Sequence, residues 1–176
     1  MSEGMHVEVL SRTALPPALY QEIISLCSRA YAEPFAGPLS AFEDATHVVA
    51  SISGELVSHA LWVPRTLTYR GAPLRSAYVE AVATEPHHQG RGYASRVMRV
   101  LADAITPFAL GALSPSDPAF YARLGWESWR GPLAVETRDG VTPTPDEDVM
   151  ILRLDNTPSI DVDEPLTAPW REGDVW

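Results

Sequence analysis

Lysine is missing altogether: all 13 basic residues among 176 are arginine, and 23 acidic residues leave a net charge of −10. We attach no function to the arginine bias itself. The shortage of positive charge argues against nucleic acid or an anionic membrane as partner and favours a cationic one. A lone cysteine, Cys27, excludes an internal disulfide; it sits in an apolar helical stretch and reads as a small buried hydrophobe. No apolar run approaches the about 20 residues that cross a bilayer. The start, MSEGMHVEV, lacks the basic-then-apolar pattern of a signal peptide, so the expected compartment is the cytosol. No His/Cys cluster has metal-ligand spacing: His87 and His88 are adjacent loop residues, expected to be solvated, and no metal is predicted.

What is present is globular. Hydrophobic residues make up 45% and charged residues 20%. A chain of this length fits one domain, residues 1–176, that buries about 70% of its unfolded surface. The acids are uneven: residues 139–176 hold 10 of the 23, with only Arg153 and Arg171 to balance them. That segment reads either as a solvated tail or as an acidic wall for a cationic substrate.

Along the chain, His6–Leu10 alternates as a strand. Leu15-Pro16-Pro17 opens a helix that runs to about Tyr31 on the apolar spacing of Leu19, Ile23, Leu26 and Ala30. Residues 32–44, with Pro34, Gly37 and Pro38, form a loop with a short helix at its end. His47–Ile52 and Leu56–Val63 are strands about a Ser53-Gly54 turn; Thr66–Tyr69 and Leu74–Thr84 pair about Arg70–Pro73. A helix spans Gly90 to about Ile105, and Phe108–Leu113 is a short buried strand. Asp117-Pro118 caps a short helix that Gly125 terminates. Trp126–Arg130, Leu133–Thr137 and Val149–Leu154 are strands, 139–147 a turn-rich connector, and 156–176 a tail. The order predicts an α+β fold: a mixed, mostly antiparallel sheet flanked by helices.

The stretch richest in chemistry runs from Tyr78-Val79-Glu80-Ala81-Val82 to Gln89-Gly90-Arg91-Gly92-Tyr93-Ala94. A strand ends, a loop follows, and a helix begins at a glycine-rich turn. Glycines let a backbone approach a ligand, and the free amides and dipole of a helix start favour a phosphate; a plain helix-entry turn has the same look. The run resembles the acetyl-CoA loop of the GCN5-related N-acetyltransferase (GNAT) superfamily, Gln/Arg-x-x-Gly-x-Gly/Ala, at Gln89, Gly92 and Ala94. Asp117-Pro118-Ala119-Phe120-Tyr121 through Gly125-Trp126 resembles the superfamily's second marker. Further likeness lies in Thr68–Gly71, Tyr78–Glu80, Leu110–Ser114 and the ending Trp170-Arg171-Glu172-Gly173-Asp174-Val175-Trp176. That ending is similar to the aromatic-Arg-x-Gly-Asp-x-Trp signature of aminoglycoside 2'-N-acetyltransferases.

The resemblance implies a GNAT fold with a splayed strand pair for acetyl-CoA as cosubstrate, and direct acetyl transfer to an amine in a ternary complex. By it, Glu80 is the base, directly or through water, and Tyr121 the acid near the thioester sulfur. The Val82 amide would hold the thioester carbonyl or the pantetheine arm. Gln89, Gly90, Arg91, Gly92, Tyr93 and Ala94 would hold the pyrophosphate. Ser114 would contact substrate or cofactor, and the terminal carboxylate of Trp176 the aminoglycoside. Glu33, Glu80, Glu147, Asp148 and Asp174 become carboxylates for a cationic aminoglycoside. Without the resemblance, Glu80 reads equally as an outward strand residue and Tyr121 as packing.

One departure concerns substrate. Family members acting on 2-deoxystreptamine drugs carry aspartates after the first helix; here those positions fall on Pro34 and near Leu39. Each lost charge-assisted hydrogen bond costs about 1.5–3 kcal/mol. Kasugamycin, whose cyclitol carries no amine, would not miss them. The expected function is therefore 2'-N-acetylation of kasugamycin, conferring resistance. The alternatives are a broad enzyme for kanamycin, tobramycin and gentamicin, an acetyltransferase for another small amine, and an acyl-CoA-binding module without turnover. Dimers are common in the family, and a homodimer is expected on that ground alone.

Overall fold

The computed structural model describes residues 4–176. In chain order the elements are β1 (His6–Ser11), α1 (Pro17–Tyr31), α2 (Ala36–Ser40), β2 (Thr46–Ile52), β3 (Glu55–Tyr69), β4 (Ala72–Thr84), α3 (Tyr93–Ala104), β5 (Leu110–Leu113), α4 (Pro118–Ala122), β6 (Glu127–Ser128), β7 (Leu133–Thr137), β8 (Gly140–Pro143), β9 (Met150–Arg153) and β10 (Leu166–Pro169). The architecture is α+β, a mixed sheet with helices, as the alternating and helical periodicities require. The chain divides into two compact units. One holds residues up to Val63 together with Val79–Ala104; the other holds Pro64–Tyr78 together with Ile105–Trp176.

In the first unit, strands lie in the order β1-β2-β3-β4. β1 and β2 pair antiparallel with Val7 opposite Ala50, and β2 pairs with β3 with Val48 opposite Ala60. The β2–β3 turn places Ser53 and Gly54 at φ 51° and 83°, a two-residue connection whose twist suits a hairpin. α1 starts on proline, which needs no amide partner in the first turn, and ends where Ala32 turns left-handed and returns its N–H to Ser28 O. It buries Ile23, Leu26 and Cys27 along one stripe, so Cys27 is the small core hydrophobe expected. α3 buries Val97, Met98 and Leu101 and packs on β1 and β2. The short helix after α1 comes in the middle of the predicted loop rather than at its end, because Leu39 inserts into the core, 1% exposed.

In the second unit the order is β6-β9-β5-β4-β3-β10-β7-β8. β4 runs parallel to β5 at Ser76–Tyr78, and β10 runs parallel to β7. The β3–β4 hairpin turns on Arg70 and Gly71, at φ 48° and 74°. Asp117 caps α4 by accepting from the Phe120 amide at 3.4 Å, and Gly125 follows at φ 92°, as the sequence predicted.

Three expectations are corrected. The strands predicted at Leu56–Val63 and Thr66–Tyr69 are one strand, β3: Pro64 keeps an extended backbone and forfeits only a donor. Burial changes there instead. Val57–Val63 are buried without a break, whereas Pro64–Tyr69 alternate. The connector 139–147 contains β8, hairpinned to β7, and the tail contains β10, seated between β3 and β7.

Gly131 packs so closely that an added Cβ would overlap the backbone carbonyl of Glu164. Gly131→Ala is expected to cost about 1–3 kcal/mol in urea unfolding, since backbone cannot yield as a side chain does. Gly37→Ala, where the added Cβ meets nothing within 4 Å, should be near neutral by the same measurement.

Candidate functional site

Glu80, Val82, Gln89–Ala94 and Glu33 belong to the first unit; Ser114, Tyr121, Glu147, Asp148, Asp174 and Trp176 belong to the second.

In the first unit the site is the far end of β4. Glu80 and Val82 are partly exposed, while Ala81 between them is buried and left-handed at φ 52°. An alanine in that conformation is strained and persists only where its surroundings hold it. They do. Ala81 O lies 2.9 Å from His59 Nδ1, Val82 O accepts from Tyr31 Oη at 2.9 Å, Ala83 O from Ser58 Oγ at 3.1 Å, and Thr84 O from Gln89 Nε2 at 3.2 Å. Four successive carbonyls are thus held by side chains from α1, β3 and the loop beyond. Glu85 closes the strand: its amide bonds Val57 O at 2.9 Å, and its carboxylate takes both Arg29 Nε and Nη2, at 2.8 and 2.9 Å. That bidentate contact holds Glu85 below the usual carboxylate range. Tyr31, stacked on Phe35 at 4.9 Å, brings the start of the Glu33 loop to β4; Glu33 itself is exposed.

Beyond β4 the chain makes the glycine-rich turn. Gly90 and Gly92 sit at φ 75° and 83°, with Arg91 between them at negative φ. Alternation of this kind turns successive amides to one side and forms an anion-binding nest. The ladder of α3 begins at the Arg96 amide, on Gly92 O at 3.1 Å, which leaves the amides ahead of it to an outside acceptor. A Cβ at either glycine would meet no other protein atom within 4 Å, and the positive φ at both is a backbone conformation that favours glycine. The Gln89–Gly92 turn is exposed. His88, expected to be solvated, is partly buried beside Tyr93, with ring centroids 5.8 Å apart.

In the second unit Tyr121 is buried, 6% exposed, between Phe120 and Trp126. Burial, with Asp117 nearby, pushes its phenol up to about 12, so it keeps its proton at neutral pH. Ser114 is exposed just past β5. The acidic tail folds back on its own unit. Arg65 donates to Pro169 O at 3.0 Å and Val175 O at 2.7 Å; it and Arg171 lie over the Tyr78 ring, at 4.7 and 5.2 Å. Arg171 Nε donates to Asp174 O at 2.6 Å, and the Trp176 indole N–H to Thr144 Oγ1 at 2.9 Å. Trp176 is therefore a buried anchor that gathers Asp174 toward the 144–148 segment, where Glu147 and Asp148 are exposed. Among the described residues no group of His, Cys, Asp and Glu is placed to hold a metal, and no helix is long and apolar enough to cross a membrane. An open concavity lined by Gln21, Arg29 and Glu55 holds none of the predicted residues.

Residues 14–129 match the acetyltransferase (GNAT) domain family. The chain belongs to the GNAT acetyltransferase family. It is 39% identical over 137 residues to an aminoglycoside 2'-N-acetyltransferase of Mycolicibacterium fortuitum, covering 74% of this chain and 70% of that one. Two solved structures share the fold of this acetyltransferase. A GNAT N-acetyltransferase of Escherichia coli (YhbS), in complex with CoA, has a TM-score of 0.67 at 15% identity and covers 96% and 92% of the two chains. A probable N-acyltransferase of Enterococcus faecalis has a TM-score of 0.59 at 23% identity and covers 70% of this chain. This acetyltransferase spans about a third of that protein's length, 32%.

The sequence passed over His59, His47, Tyr31 and Arg65. A histidine in an otherwise apolar strand was the only available signal. Burial pushes His47 down to about 4, helped by the Arg12 charge, and His59 to about 3, helped by His47. Both are neutral when folded, whereas an unfolded histidine titrates near 6.5. The unfolded chain therefore binds more protons between pH 6.5 and 4, and stability falls as pH falls through that window. Each histidine should cost the acetyltransferase about 1.6 kcal/mol between pH 6.5 and 5. Urea midpoints at both pH values test this, and His47→Asn should flatten the slope.

Proposed function

We propose that this acetyltransferase transfers an acetyl group from acetyl-CoA to the 2'-amine of an aminoglycoside in a ternary complex, with kasugamycin as its preferred substrate and resistance as the outcome. The observation that carries the cosubstrate is the alternating Gly90-Arg91-Gly92 turn ahead of α3. Its amides and the Arg91 guanidinium suit a pyrophosphate. Gln89, Tyr93 and Ala94 complete that binding set, and Val82 contributes its amide nearby on β4.

Acetyl-CoA supplies the acetyl group as an activated thioester. An ammonium cannot attack it, so Glu80, partly exposed at the bend in β4, takes the proton from the substrate amine directly or through one water. Tyr121 donates a hydrogen bond where the sulfur leaves. With its phenol near 12, against about 8.5 for an ordinary thiol, it is a poorer acid than the thiol it would serve. Its part is therefore to stabilise charge, not to surrender a proton outright. Within the second unit, Ser114 and the carboxylates Glu147, Asp148 and Asp174 are the groups suited to a polycationic substrate, and Trp176 fixes the end of the chain through Thr144.

Kasugamycin is favoured by the loop after α1. Leu39 is in the core, Pro34 has no charge, and Glu33 is the exposed carboxylate there. A ring bearing two amines finds no carboxylate at those two positions, while a cyclitol without amines needs none. A second reading is a broad 2'-N-acetyltransferase of deoxystreptamine drugs, which the name of the M. fortuitum relative, an aminoglycoside 2'-N-acetyltransferase, fits equally. The reaction takes place in the cytosol on this reading.

Thiol release from acetyl-CoA, compared across kasugamycin, kanamycin, tobramycin and gentamicin, tests the proposal. Turnover on kasugamycin alone supports it, and turnover on the deoxystreptamine drugs replaces it with the broad reading. Glu80→Gln should lower kcat/KM by about 10²-fold or more at neutral pH and leave acetyl-CoA binding intact. Tyr121→Phe should cost about tenfold, the worth of one hydrogen bond.

A further inference from the structure

We propose that His47 and His59 form a buried relay that positions the catalytic segment by holding Ala81 in its left-handed conformation; the idea rests on the reading of Glu80 as base. All the residues concerned lie in the first unit. His59 Nδ1 is 2.9 Å from Ala81 O, and His59 Nε2 is 2.8 Å from His47 Nδ1. The rings are 0% and 1% exposed.

The acceptor decides the protons. A carbonyl only accepts, so His59 carries its hydrogen on Nδ1. In a neutral ring Nε2 is then bare and must accept, so His47 carries its hydrogen on Nδ1 as well. That leaves His47 Nε2 as a bare lone pair, and this atom is buried with no hydrogen-bond partner among the described residues. An apolar pair of similar size would fill the same space without that stranded acceptor. Packing alone therefore does not account for two histidines. An N–H delivered at the Ala81 carbonyl, oriented by a second imidazole, does.

The consequence falls on the neighbours. Ala81 lies between Glu80 and Val82, and its φ of 52° sets the direction of both. Without a donor the inward-turned carbonyl would be buried unsatisfied, and the segment would gain by relaxing to an extended strand. Glu80 would then move relative to the amine it deprotonates. Cys27 Sγ, 3.9 Å from His59 Nδ1, and the Arg12 charge near His47 are the other polar groups facing the pair. His47 and His59 are thus positioning residues; they touch no substrate.

The test compares two polar replacements of similar bulk. Asparagine at 59 places its amide donor where Nδ1 stood, whereas glutamine reaches toward Nε2. His59→Asn should keep kcat within about threefold, and His59→Gln should lower it about ten- to a hundredfold with the KM for acetyl-CoA little changed. Adding Ala81→Gly to His59→Gln should restore much of the loss, since glycine takes positive φ without a brace. Equal kcat for the two variants, or no rescue by glycine, overturns the relay. Nitrogen-15 NMR of the wild-type imidazoles is a separate arm: Nδ1–H on both rings supports the relay, and Nε2–H on His59 overturns it. If the wild type turns over no aminoglycoside, the reading of Glu80 fails. The left-handed carbon shifts of Ala81, present in wild type and His59→Asn and lost in His59→Gln, still decide whether the relay exists.

Discussion

Four consecutive carbonyls, Ala81 to Thr84, each accept a hydrogen bond from a side chain, and most of the candidate site follows from that row. A strand that leaves the regular ladder exposes polar backbone, and polar backbone in a protein interior has to find partners. Here the partners come from α1, from β3 and from the loop that β4 enters. The end of β4 is therefore fixed by the core around it, not by pairing alone. That is how a strained alanine survives in mid-strand and how the chain enters the glycine turn in one direction. Arg29 and Glu85 finish the work by tying α1 to the first residue beyond the strand.

A different logic governs the second unit. Its excess of acid would repel itself if left loose, yet the last residues are ordered against buried Arg65, whose guanidinium donates to two backbone carbonyls. Further back in the unit Asp163 and Glu164 pair with Arg130 and Arg70, but the anchor at the chain's end is made of carbonyls. Asp174 is exposed, and its backbone oxygen accepts from Arg171. An anchor that uses the backbone and leaves the carboxylates outward is what a surface for polycations requires.

Much of this was legible beforehand, for definite reasons. Asp117, Pro118 and Gly125 announce α4 because capping, proline and left-handed glycine each have a local cause. Gly90 and Gly92 announce the anion turn, because a positive φ favours glycine and both adopt one. Ala81 announces nothing, because alanine is the residue least expected at φ 52° and its conformation is imposed from β3. β8 and β10 were missed because four-residue strands with proline at one end carry too little periodicity to stand out from a loop. Exposed acids such as Glu33 and Glu147 can be located in sequence, but their partners cannot. Leu39 shows the reverse case: a position aligned with a binding residue that the fold uses for core.

Neither unit is a continuous piece of chain, and that shapes how the protein is made. The first is complete only when residue 104 has left the ribosome, yet Pro64–Tyr78, which interrupts it, belongs to the second. This hairpin is born early and waits. One of its edges is later covered by β5 at residue 110 and the other by β10 at residue 166. During that interval it shows two bare strand edges, the feature that invites neighbouring chains to pair. Pro64 and Pro73 withhold donors along it, and Arg70 and Arg75 place charge at its tip, so the nascent segment carries its own protection against aggregation until its late partners arrive.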